Sequence, residues 1–357
     1  MTKIIKFITI LSCIALLLSN LGAYVDPRTF WPLAFASLAY VPVLAGNILI
    51  SCYWLIRRSA FALVPLCCIF IGWPILSGTF SLSRKAQVQA KADTPDSLVR
   101  VMTYNVHAFD EAFRETSNSS RVLSLIDKIQ PDIACFQEYY SVPQHFQAND
   151  SLKKILHTKN FHFVQFNGDG VGMAIFSKYP IIKSGVLRFS EDGDGNQCIY
   201  IDVFKNNRTF RVYSVHLESI RLKQTQINYM SQVIKGKTKQ LRPSKQIGGQ
   251  LRRAFLERAA QVDMVKKHSA SCPYPYVICG DFNDPPSSYA FNKMAVGLLS
   301  TYREKGSGFY AVTLHKGFLR YQIDHILASG SWKVSSHVII PEQASDHYPV
   351  YADLSLN

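Results

Sequence analysis

The sequence predicts a layered α/β protein that follows an all-α transmembrane anchor. Residues 1–80 are almost wholly apolar, and the ionisable side chains that could do chemistry all lie after residue 80. Within residues 99–138, an apolar strand-like run, a helix-like run and a second strand-like run follow one another. That order is typical of α/β folds, in which strands and helices pack as layers around one core.

Composition narrows the classes of partner. The chain has 357 residues, enough for one large core and an appendage. Its formal net charge of +14 favours anionic partners such as phosphates, nucleic acid or acidic lipid. A hydrophobic content of 48% excludes a disordered chain. The spacing of its cysteines matches neither a zinc site nor a disulfide framework, and the sequence indicates no protein partner.

Three apolar runs fill the first 80 residues, at positions 7–24, 30–56 and 59–80. Each has about 18 residues or more, the length needed to cross the hydrocarbon core of a bilayer. We therefore predict a three-span transmembrane anchor over residues 1–80. For the first run the alternative is a cleaved signal peptide, because Lys3 and Lys6 precede a short apolar core. Two further runs follow it, which favours a retained helix.

The basic residues indicate the orientation of this anchor. With a cytoplasmic amino terminus, the residues on the inner side would be Lys3, Lys6, Arg57 and Arg58. Arg28 would lie outside, in agreement with the positive-inside rule, and three crossings would place the rest of the chain outside. Arg84, Lys85 and Lys91 follow the third run and argue for the opposite side. The sequence favours an integral membrane protein whose large domain after the anchor lies outside the cytoplasm.

Residues 81–98 are small, polar and basic, and we predict a linker there. A catalytic domain is expected over residues 99–357. Its expected strands are 99–107, 132–138, 170–181, 199–204, 209–217, 276–281, 321–327 and 345–354, and its expected helices are 121–130 and 250–268. Asn206 and Asn207 between two of the strands predict a hairpin turn.

Polar side chains stand where these strands end. Asp281 and Asn283 follow the apolar run Tyr276–Cys279, and Pro285 prevents the strand from continuing. Other strand ends carry a similar set, namely Asn105, Glu138, His216, Asp324, Asp346 and His347. Ligands bind where strand ends converge, and oxygen donors of this kind suit Mg²⁺, with Mn²⁺ as the alternative. The sequence has no GxxxxGK[ST] phosphate loop, which argues against nucleotide-powered phosphoryl transfer.

Seven ordered blocks, YNVHAF, DIACFQEYY, GMAIFSKYPI, VYSVHLES, VICGDFND, YQIDHIL and SDHYPV, carry a family resemblance. The sequence over residues 99–357 resembles the endonuclease/exonuclease/phosphatase superfamily, which has the deoxyribonuclease I-like fold. The resemblance implies a four-layer α/β sandwich, in which two packed mixed sheets are flanked by helices. It also implies hydrolysis of phosphate esters by a divalent-metal-dependent enzyme.

The resemblance implies a metal-binding set. Glu138 matches the principal Mg²⁺ ligand, Asn105 its neighbour on the metal or phosphate, and Asp346 a second metal contact. His107 departs from the pattern, since some nucleases have an acid at this position, and a single metal ion is therefore one expectation. Without the resemblance, Glu138 could equally be a surface acid.

The resemblance also implies catalytic roles. Asp281 matches the residue that orients or deprotonates the attacking water, and Asn283 a donor to the substrate phosphate. His347 matches the imidazole beside the scissile phosphate, and Asp324 the carboxylate that orients it. His216 matches a histidine that assists at the phosphate or leaving group, although alone it could be a core histidine.

The remaining basic and histidine residues are not assigned to the catalytic or metal-binding set. Arg258 could either reach the substrate or bond a loop, and the structural role is favoured. The histidines expected to be structural are His162, His315, His325 and His337. Between residues 219 and 256 the chain has nine basic residues and no acid, a composition typical of a solvated surface. Because this insert follows His216, we expect it to engage lipid headgroups or another polyanion at the site.

We therefore expect a membrane-tethered phosphoesterase that hydrolyses phosphate mono- or diesters by metal-assisted attack of water. Its expected substrates are lipid-linked or small phosphate esters. The alternative is a membrane-tethered nuclease acting on DNA or RNA, which the positive charge permits without selecting. A non-catalytic scaffold is a third reading, which the complete set of polar strand ends disfavours.

Overall fold

The computed structural model describes residues 2–81, 95, 97–111, 119–142, 148–168, 170–190, 195–237 and 241–356, without the side chains of residues 110, 111, 241 and 242. Most of the expected linker 81–98 lies outside these residues, and so does Lys239 of the basic insert. Within the described residues, two six-stranded mixed sheets pack face to face and helices cover their outer faces. The four-layer α/β sandwich is thus confirmed.

The two sheets have the same number of strands and the same pattern of strand directions, with one parallel pair each. The first is formed by β1 (Leu98–Asn105), β2 (Ile133–Tyr140), β3 (Asn160–Gln165), β4 (Val171–Ser177), β13 (Trp332–Ile339) and β14 (Val350–Leu356), in the order β13–β14–β1–β2–β4–β3. The second is formed by β5 (Ile181–Arg188), β6 (Gln197–Lys205), β7 (Arg208–His216), β8 (Tyr276–Asp281), β9 (Leu298–Ser300) and β12 (Asp324–Ser329), in the order β5–β6–β7–β8–β12–β9. Each has one parallel pair, β1–β2 or β7–β8, and antiparallel neighbours.

Helices connect the parallel pairs and cover the sheets. In the catalytic domain they are α7 (His107–Glu111), α8 (Ser119–Ile129), α9 (Ala148–Ile155), α10 (Gln224–Ile234), α11 (Leu241–Ala270), α12 (Tyr289–Ala295) and α13 (Thr301–Lys305). The apolar face of α8, from Val122 to Ile129, packs against the outer side of the first sheet. Val262 and Val265 of α11 pack on the second sheet. These contacts follow from apolar residues at helical spacing, which must be buried on one side.

The inner faces of the two sheets make the central core. Residues from both sheets alternate into it, among them Val101, Ile175, Ile201, Val277 and Trp332. Burial of these alternate positions fixes the register of each strand, because a shift by one residue would turn the apolar set outward.

All helices and strands assigned among the described residues of the N-terminal segment are helices, joined by short turns. It comprises α1 (Thr2–Leu21), α2 (Pro27–Phe30), α3 (Pro32–Leu38), α4 (Tyr40–Ile56), a 3₁₀ turn (Ala60–Ala62), α5 (Leu63–Ile71) and α6 (Trp73–Thr79). By length and composition α1 is able to cross a membrane, and there are up to three such spans if each bent pair of helices counts as one.

The second and third apolar runs are bent, which the sequence prediction did not include. The axes of α3 and α4 differ by 62°, and those of Ala60–Ile71 and Trp73–Thr79 by 68°. Pro42 and Pro74 lie in the first turn after each break. A proline ring collides with the carbonyl four residues earlier, so a straight helix cannot continue through either position.

Several specific contacts hold this helical segment against the catalytic domain. Arg28 Nη2 lies 2.6 Å from the Asp263 carboxylate on α11. Ser287 Oγ donates to the Ser37 carbonyl at 2.9 Å. Phe80 forms an isolated β-bridge with Tyr310. The loop after α1 and the end of α6 therefore lie at the catalytic domain.

Most expected elements of the catalytic domain are present, but the expected strand 345–354 begins only at Val350, and β3, β5, β9 and β13 were not expected. Two expected elements also differ in extent. The expected strand 321–327 is divided into β11 (Leu319–Tyr321), which pairs with β10 (Leu314–Lys316), and β12. The expected helix 250–268 is the second part of α11, which begins inside the basic insert. The described part of this insert is largely helical, and α10 precedes α11 in it. Asn206 and Asn207 both have positive φ in the predicted hairpin turn.

Candidate active site

The first sheet contributes two side chains from its parallel pair. Asn105 ends β1 beside Gln137 of β2, and Glu138 follows Gln137 directly. The register of β2 shifts between Phe136 and Tyr139, and Glu138 has a φ of +47°. A bulge of this kind re-aims a side chain out of the regular alternation. It explains why Glu138 is half-buried at the site while its neighbours along β2 are buried.

The second sheet aligns three side chains at one level. His216 of β7 pairs with Asp281 of β8, and Asp281 pairs with Asp324 of β12. Gly280 makes this close spacing possible, since a Cβ atom there would lie 2.0 Å from the Val215 carbonyl oxygen. Its φ of +146° is also a conformation that other residues rarely adopt. Glycine is thus required immediately before Asp281.

Asn105 joins the two sheets at the site. Its Nδ2 donates to Glu138 Oε1 and to Asp281 Oδ2, both at 3.0 Å. Its Oδ1 accepts from the backbone N–H of His107 at 3.0 Å, which fixes the orientation of the amide. His216 Nε2 lies 3.6 Å from Glu138 Oε1 and 3.9 Å from Asp281 Oδ2. The two strand ends therefore meet in one polar centre.

His347 and Asp324 form a buried pair on the other side of Asp281. His347 Nδ1 lies 2.9 Å from Asp324 Oδ2, and Nε2 lies 3.8 Å from Asp281 Oδ2. Burial lowers the pKa of His347, but Asp324 and Asp281 outweigh this effect and raise it to about 10. The imidazole is accordingly protonated at neutral pH and can donate through both nitrogens.

The pKa of Asp281 is perturbed in the direction that suits a base. Burial and the Asp324 carboxylate raise it to about 6, against the opposing effects of His347 and His216. A carboxylate with a pKa just below the working pH is mostly ionised and still basic enough to accept a proton.

Asn283 and Asp346 complete the sequence-based set at the cavity. Asn283 has a φ of +53°, its backbone N–H donates to Asp281 Oδ1 at 2.8 Å, and its Nδ2 donates to the Leu217 carbonyl at 2.9 Å. Asp346 accepts from Lys316 Nζ at 3.0 Å. Burial would raise the pKa of Asp346, but His347, His107 and Lys316 lower it to about 2.

Six residues of the sequence-based set line one cavity of about 400 Å³, namely Glu138, His216, Asp281, Asn283, Asp346 and His347. Asn105 and Asp324 do not line it, and they contact lining residues through hydrogen bonds to Glu138 and His347. Its polar residues include His107, Glu138, His216, Asp281, Asn283, Asp346 and His347. Its apolar residues include Ile220, Leu222, Ile227, Leu314 and Leu319. The cavity thus combines a compact polar region with an aliphatic wall.

Arg258, which could have reached the substrate, does not line this cavity. It is 1% exposed, and its Nη1 donates to the Glu218 carbonyl at 3.0 Å. Its Nε forms a 3.0 Å ion pair with Asp284. Arg258 therefore holds the chain after β7 and the turn after β8, which is the structural role that the sequence favoured.

Two of the histidines expected to be structural, His325 and His337, are buried away from the cavity. His325 Nε2 contacts the Asp284 carbonyl, and His337 Nδ1 contacts Thr301 Oγ1. Burial lowers the pKa of His325 to about 4 and that of His337 to about 3. Both are neutral core groups at physiological pH.

Sequence reasoning missed the aliphatic wall and Lys316. The apolar lining residues named above lie between the motifs, in loops, in the short strands β10 and β11, and in α10. Lys316 reaches the site because β10 pairs with β11 and because Leu314 forms a bridge with His347. No local signal in the sequence indicates that arrangement.

The sequence of residues 102–347 matches the model of the "Endonuclease/Exonuclease/phosphatase family". The chain belongs to the endonuclease/exonuclease/phosphatase family. Its members are phosphoester hydrolases, so the chain is a hydrolase of this family. Residues 2–79 match a separate model described as "Domain of unknown function (DUF8431)". None of the curated proteins matches the chain.

Solved structures of this family share the fold at low identity. A family protein from Bacteroides thetaiotaomicron is 15% identical, with a TM-score of 0.54 over 73% of this chain and 98% of that one. The human Nocturnin catalytic domain is 20% identical, with a TM-score of 0.52 over 73% of this chain and 94% of that one. A mannosyl-6-phosphatase from B. thetaiotaomicron is 14% identical, with a TM-score of 0.51 over 72% of this chain and 100% of that one.

Family enzymes generally depend on a divalent metal, and this chain has a candidate acidic and histidine site. Asp281, Asp324 and His347 each place one ligand atom within 4.8 Å of the others. This compact group differs from the expected ligands Glu138, Asn105 and Asp346, and two of its members already share the His347–Asp324 hydrogen bond. The cavity lining nevertheless includes the carboxylates of Glu138, Asp281 and Asp346, and oxygen donors of this kind fit a hard cation.

Proposed function

We propose that this chain is a membrane-tethered, Mg²⁺-dependent phosphoesterase, with Mn²⁺ as an alternative metal, that hydrolyses lipid-linked or small phosphate esters by attack of water. One observation carries the proposal. Six residues from two sheets, Asn105, Glu138, His216, Asp281, Asp324 and His347, form a continuous series of contacts of 3.9 Å or less. Four of these residues, Glu138, His216, Asp281 and His347, line the cavity, and the other two contact them.

The metal would be held by Glu138, with Asn105 and Asp346 as neighbouring contacts. A bound divalent cation would shield phosphoryl charge and lower the pKa of water. Asn105 Nδ2 already bridges the Glu138 and Asp281 carboxylates, so these two groups are held close to each other. This arrangement would bring the metal region next to the base.

Asp281 would take the proton from the attacking water. Its pKa of about 6 makes it mostly ionised at neutral pH. His347, held by Asp324, would donate a hydrogen bond to a phosphate oxygen through Nε2. His216 would act at the phosphate or the leaving oxygen, since Gly195 accepts at its Nδ1 at 2.9 Å and Nε2 faces the acids. The second amide hydrogen of Asn283 would contact the phosphate.

The membrane part of the proposal rests on the N-terminal helices. Lys6 Nζ lies 5.3 Å from the Phe61 ring, whereas Arg28 contacts Asp263 of the catalytic domain. The basic amino terminus and the loop containing Arg57 would therefore be at the end far from the catalytic domain. By the positive-inside rule, this arrangement would put the catalytic domain outside the cytoplasm.

The test uses the full chain purified in detergent. We would assay bis(p-nitrophenyl) phosphate, p-nitrophenyl phosphate, plasmid DNA and phospholipid vesicles, each with Mg²⁺, Mn²⁺ or EDTA. Hydrolysis that requires the metal and is lost in Asp281→Ala is the expected result. Hydrolysis of DNA alone, weakening steeply with salt, would instead identify a nuclease. Metal-independent turnover, or none of any substrate, would contradict the proposal.

The orientation has its own test. Single cysteines introduced at Arg57 and Ser329, in a chain without its natural cysteines, would be labelled with a membrane-impermeant maleimide in intact cells. Labelling at position 329 and not at position 57 is expected, and the reverse pattern would place the catalytic domain in the cytoplasm.

A further inference from the structure

An apolar groove of about 270 Å³ lies between α10 and the beginning of α11. Its lining consists of Phe35, Tyr229, Met230, Val233, Ile234, Ser244, Ile247, Gly248 and Leu251. None of these residues is charged, although the surrounding insert is strongly basic. A groove that bound a nucleic acid would need cationic and stacking groups along its length. The lining indicates an aliphatic occupant instead.

Two hydrogen bonds join α10 to the beginning of α11. Gln226 Nε2 donates to Gln250 Oε1 at 2.7 Å, and the Tyr229 hydroxyl contacts Ser244 Oγ at 2.8 Å. These bonds pair the helices antiparallel and leave the apolar groove between them. Ile234 is nevertheless 70% exposed at the end of α10. The groove is therefore bordered by hydrogen-bonded helices, and its edge at Ile234 is apolar and exposed.

One end of the groove adjoins the helical segment that we assign to the membrane. Phe35 of α3 lines the groove, and its ring packs against Phe255 of α11 with centroids 5.2 Å apart. Trp31, one turn earlier, lies 5.1 Å from the Arg252 guanidinium. Aromatic rings and arginine side chains of this kind are typical of the bilayer interface. The groove thus opens at the expected level of the lipid headgroups and upper acyl chains.

The other end adjoins the catalytic cavity. Ile227 lines that cavity, and Met230, three residues later on the same face of α10, lines the groove. Ile220 and Leu222 extend the aliphatic surface inside the cavity. A molecule with a phosphate and an acyl chain could therefore contact the polar residues with one part and α10 with the other.

We propose that the α10–α11 groove binds an acyl chain of a phospholipid, so that the cavity receives a lipid phosphate ester directly from the bilayer. This inference rests on the proposed function and names its substrate class. Basic residues around the groove fit the occupant, because each can add ~1 kcal/mol of attraction to an anionic lipid surface. The exposed Lys235 and Lys237 follow α10 directly.

Two adjacent glycines offer a matched test. A Cβ atom at Gly248 or at Gly249 would meet nothing within 4 Å, and both lie inside α11. Only Gly248 is part of the groove lining. Gly248→Leu would fill the groove, whereas Gly249→Leu would add the same side chain on the exposed surface. Both changes remove a helix-interior glycine, which is normally unfavourable, so folding should be preserved.

The first readout is lipid contact, measured without catalysis. The full chain in nanodiscs of phosphatidylcholine and phosphatidylglycerol would be irradiated with a phosphatidylcholine bearing a diazirine on its acyl chain. Peptide mass spectrometry should locate label on α10 and α11. Gly248→Leu should reduce it by about tenfold, and Gly249→Leu should not. Equal labelling of both variants, or cross-links between two chains at the groove, would overturn the proposal.

The second readout is activity with Mg²⁺ on phospholipid vesicles and on bis(p-nitrophenyl) phosphate. Gly248→Leu should lower kcat/KM for the lipid by about tenfold and leave the soluble ester within about twofold. An equal fall for both substrates, or none for the lipid, would contradict acyl-chain binding while leaving phosphoesterase activity intact. If the wild type hydrolyses neither, the proposed function fails, and photolabelling alone decides whether the groove binds an acyl chain.

Discussion

The contact between Asp324 and His347 gives the sharpest prediction about catalysis. Asp324 is fully buried, and its Oδ2 lies 2.9 Å from His347 Nδ1. Asp324→Asn keeps the shape of the side chain and removes its charge. A hydrogen bond to a charged group contributes about 1.5–3 kcal/mol and a neutral one about 1 kcal/mol, so losing the charge in the transition state should lower kcat by about 2- to 30-fold. KM should change little, because the proposed metal residues are untouched.

The same substitution should change the titration of His347 in the metal-free protein. The pKa of about 10 is above the usual 6.5 despite burial, because Asp324 and Asp281 favour the charged ring. The stabilisation from this charge is complete below pH 6.5 and is lost as the pH rises through about 10. Asp324→Asn should therefore lower the pKa of His347 in an NMR titration, and destabilise the protein most below pH 6.5.

A matched control separates catalysis from folding. Asp202 is also a buried carboxylate, and it pairs with Arg211 Nη2 at 2.8 Å away from the cavity. Asp202→Asn should lower the unfolding temperature and leave kcat of the folded protein unchanged. Wild-type kcat in Asp324→Asn, measured on bis(p-nitrophenyl) phosphate with saturating Mg²⁺, would refute the orienting role of Asp324.

Three further predictions follow from the same site. Gly280→Ala should destabilise the catalytic domain by about 3 kcal/mol or more in thermal unfolding, because the added Cβ would collide with Val215 and the backbone has a positive φ. The control Gly330→Ala should be neutral, because an added Cβ there meets nothing within 4 Å. Glu138→Gln should raise the Mg²⁺ concentration for half-maximal activity by about tenfold or more; an unchanged metal titration would remove Glu138 from the metal site. Arg258→Gln should cost about 3–5 kcal/mol in chemical denaturation by leaving Asp284 buried without its partner, while a selective rise in KM would instead support substrate binding.

Local sequence accounts for much of the architecture. The apolar runs and their spacing predict the central strands, the apolar face of α8 and the hairpin at Asn206, since burial of each depends on residues close together in the chain. The polar residues at the strand ends are the predicted candidates for catalysis and metal binding. The resemblance of the seven sequence blocks to the family then implies that these candidate residues share one site.

Contacts between residues far apart in the chain could not be predicted from local sequence. Asp281 and Asp324 are register partners, although 43 positions separate their numbers, and Asn105 meets Glu138 only because β1 and β2 are parallel neighbours. Arg258 illustrates the limit: its sequence context suits both substrate binding and a buried ion pair. Only the position of the Asp284 carboxylate distinguishes them.

The sequence by itself determined the α/β class, the apolar N-terminal segment and the set of acids, amides and imidazoles, because composition and periodicity are properties of neighbouring residues. The tertiary structure decided which of these groups touch, where Pro42 and Pro74 coincide with bends in the apolar runs, and that α10 lies between the cavity and the helical segment. The contacts between these groups and the position of α10 depend on packing between elements far apart in the chain, and no local pattern encodes them. The prolines are local features, but only the structure shows that the helices bend beside them.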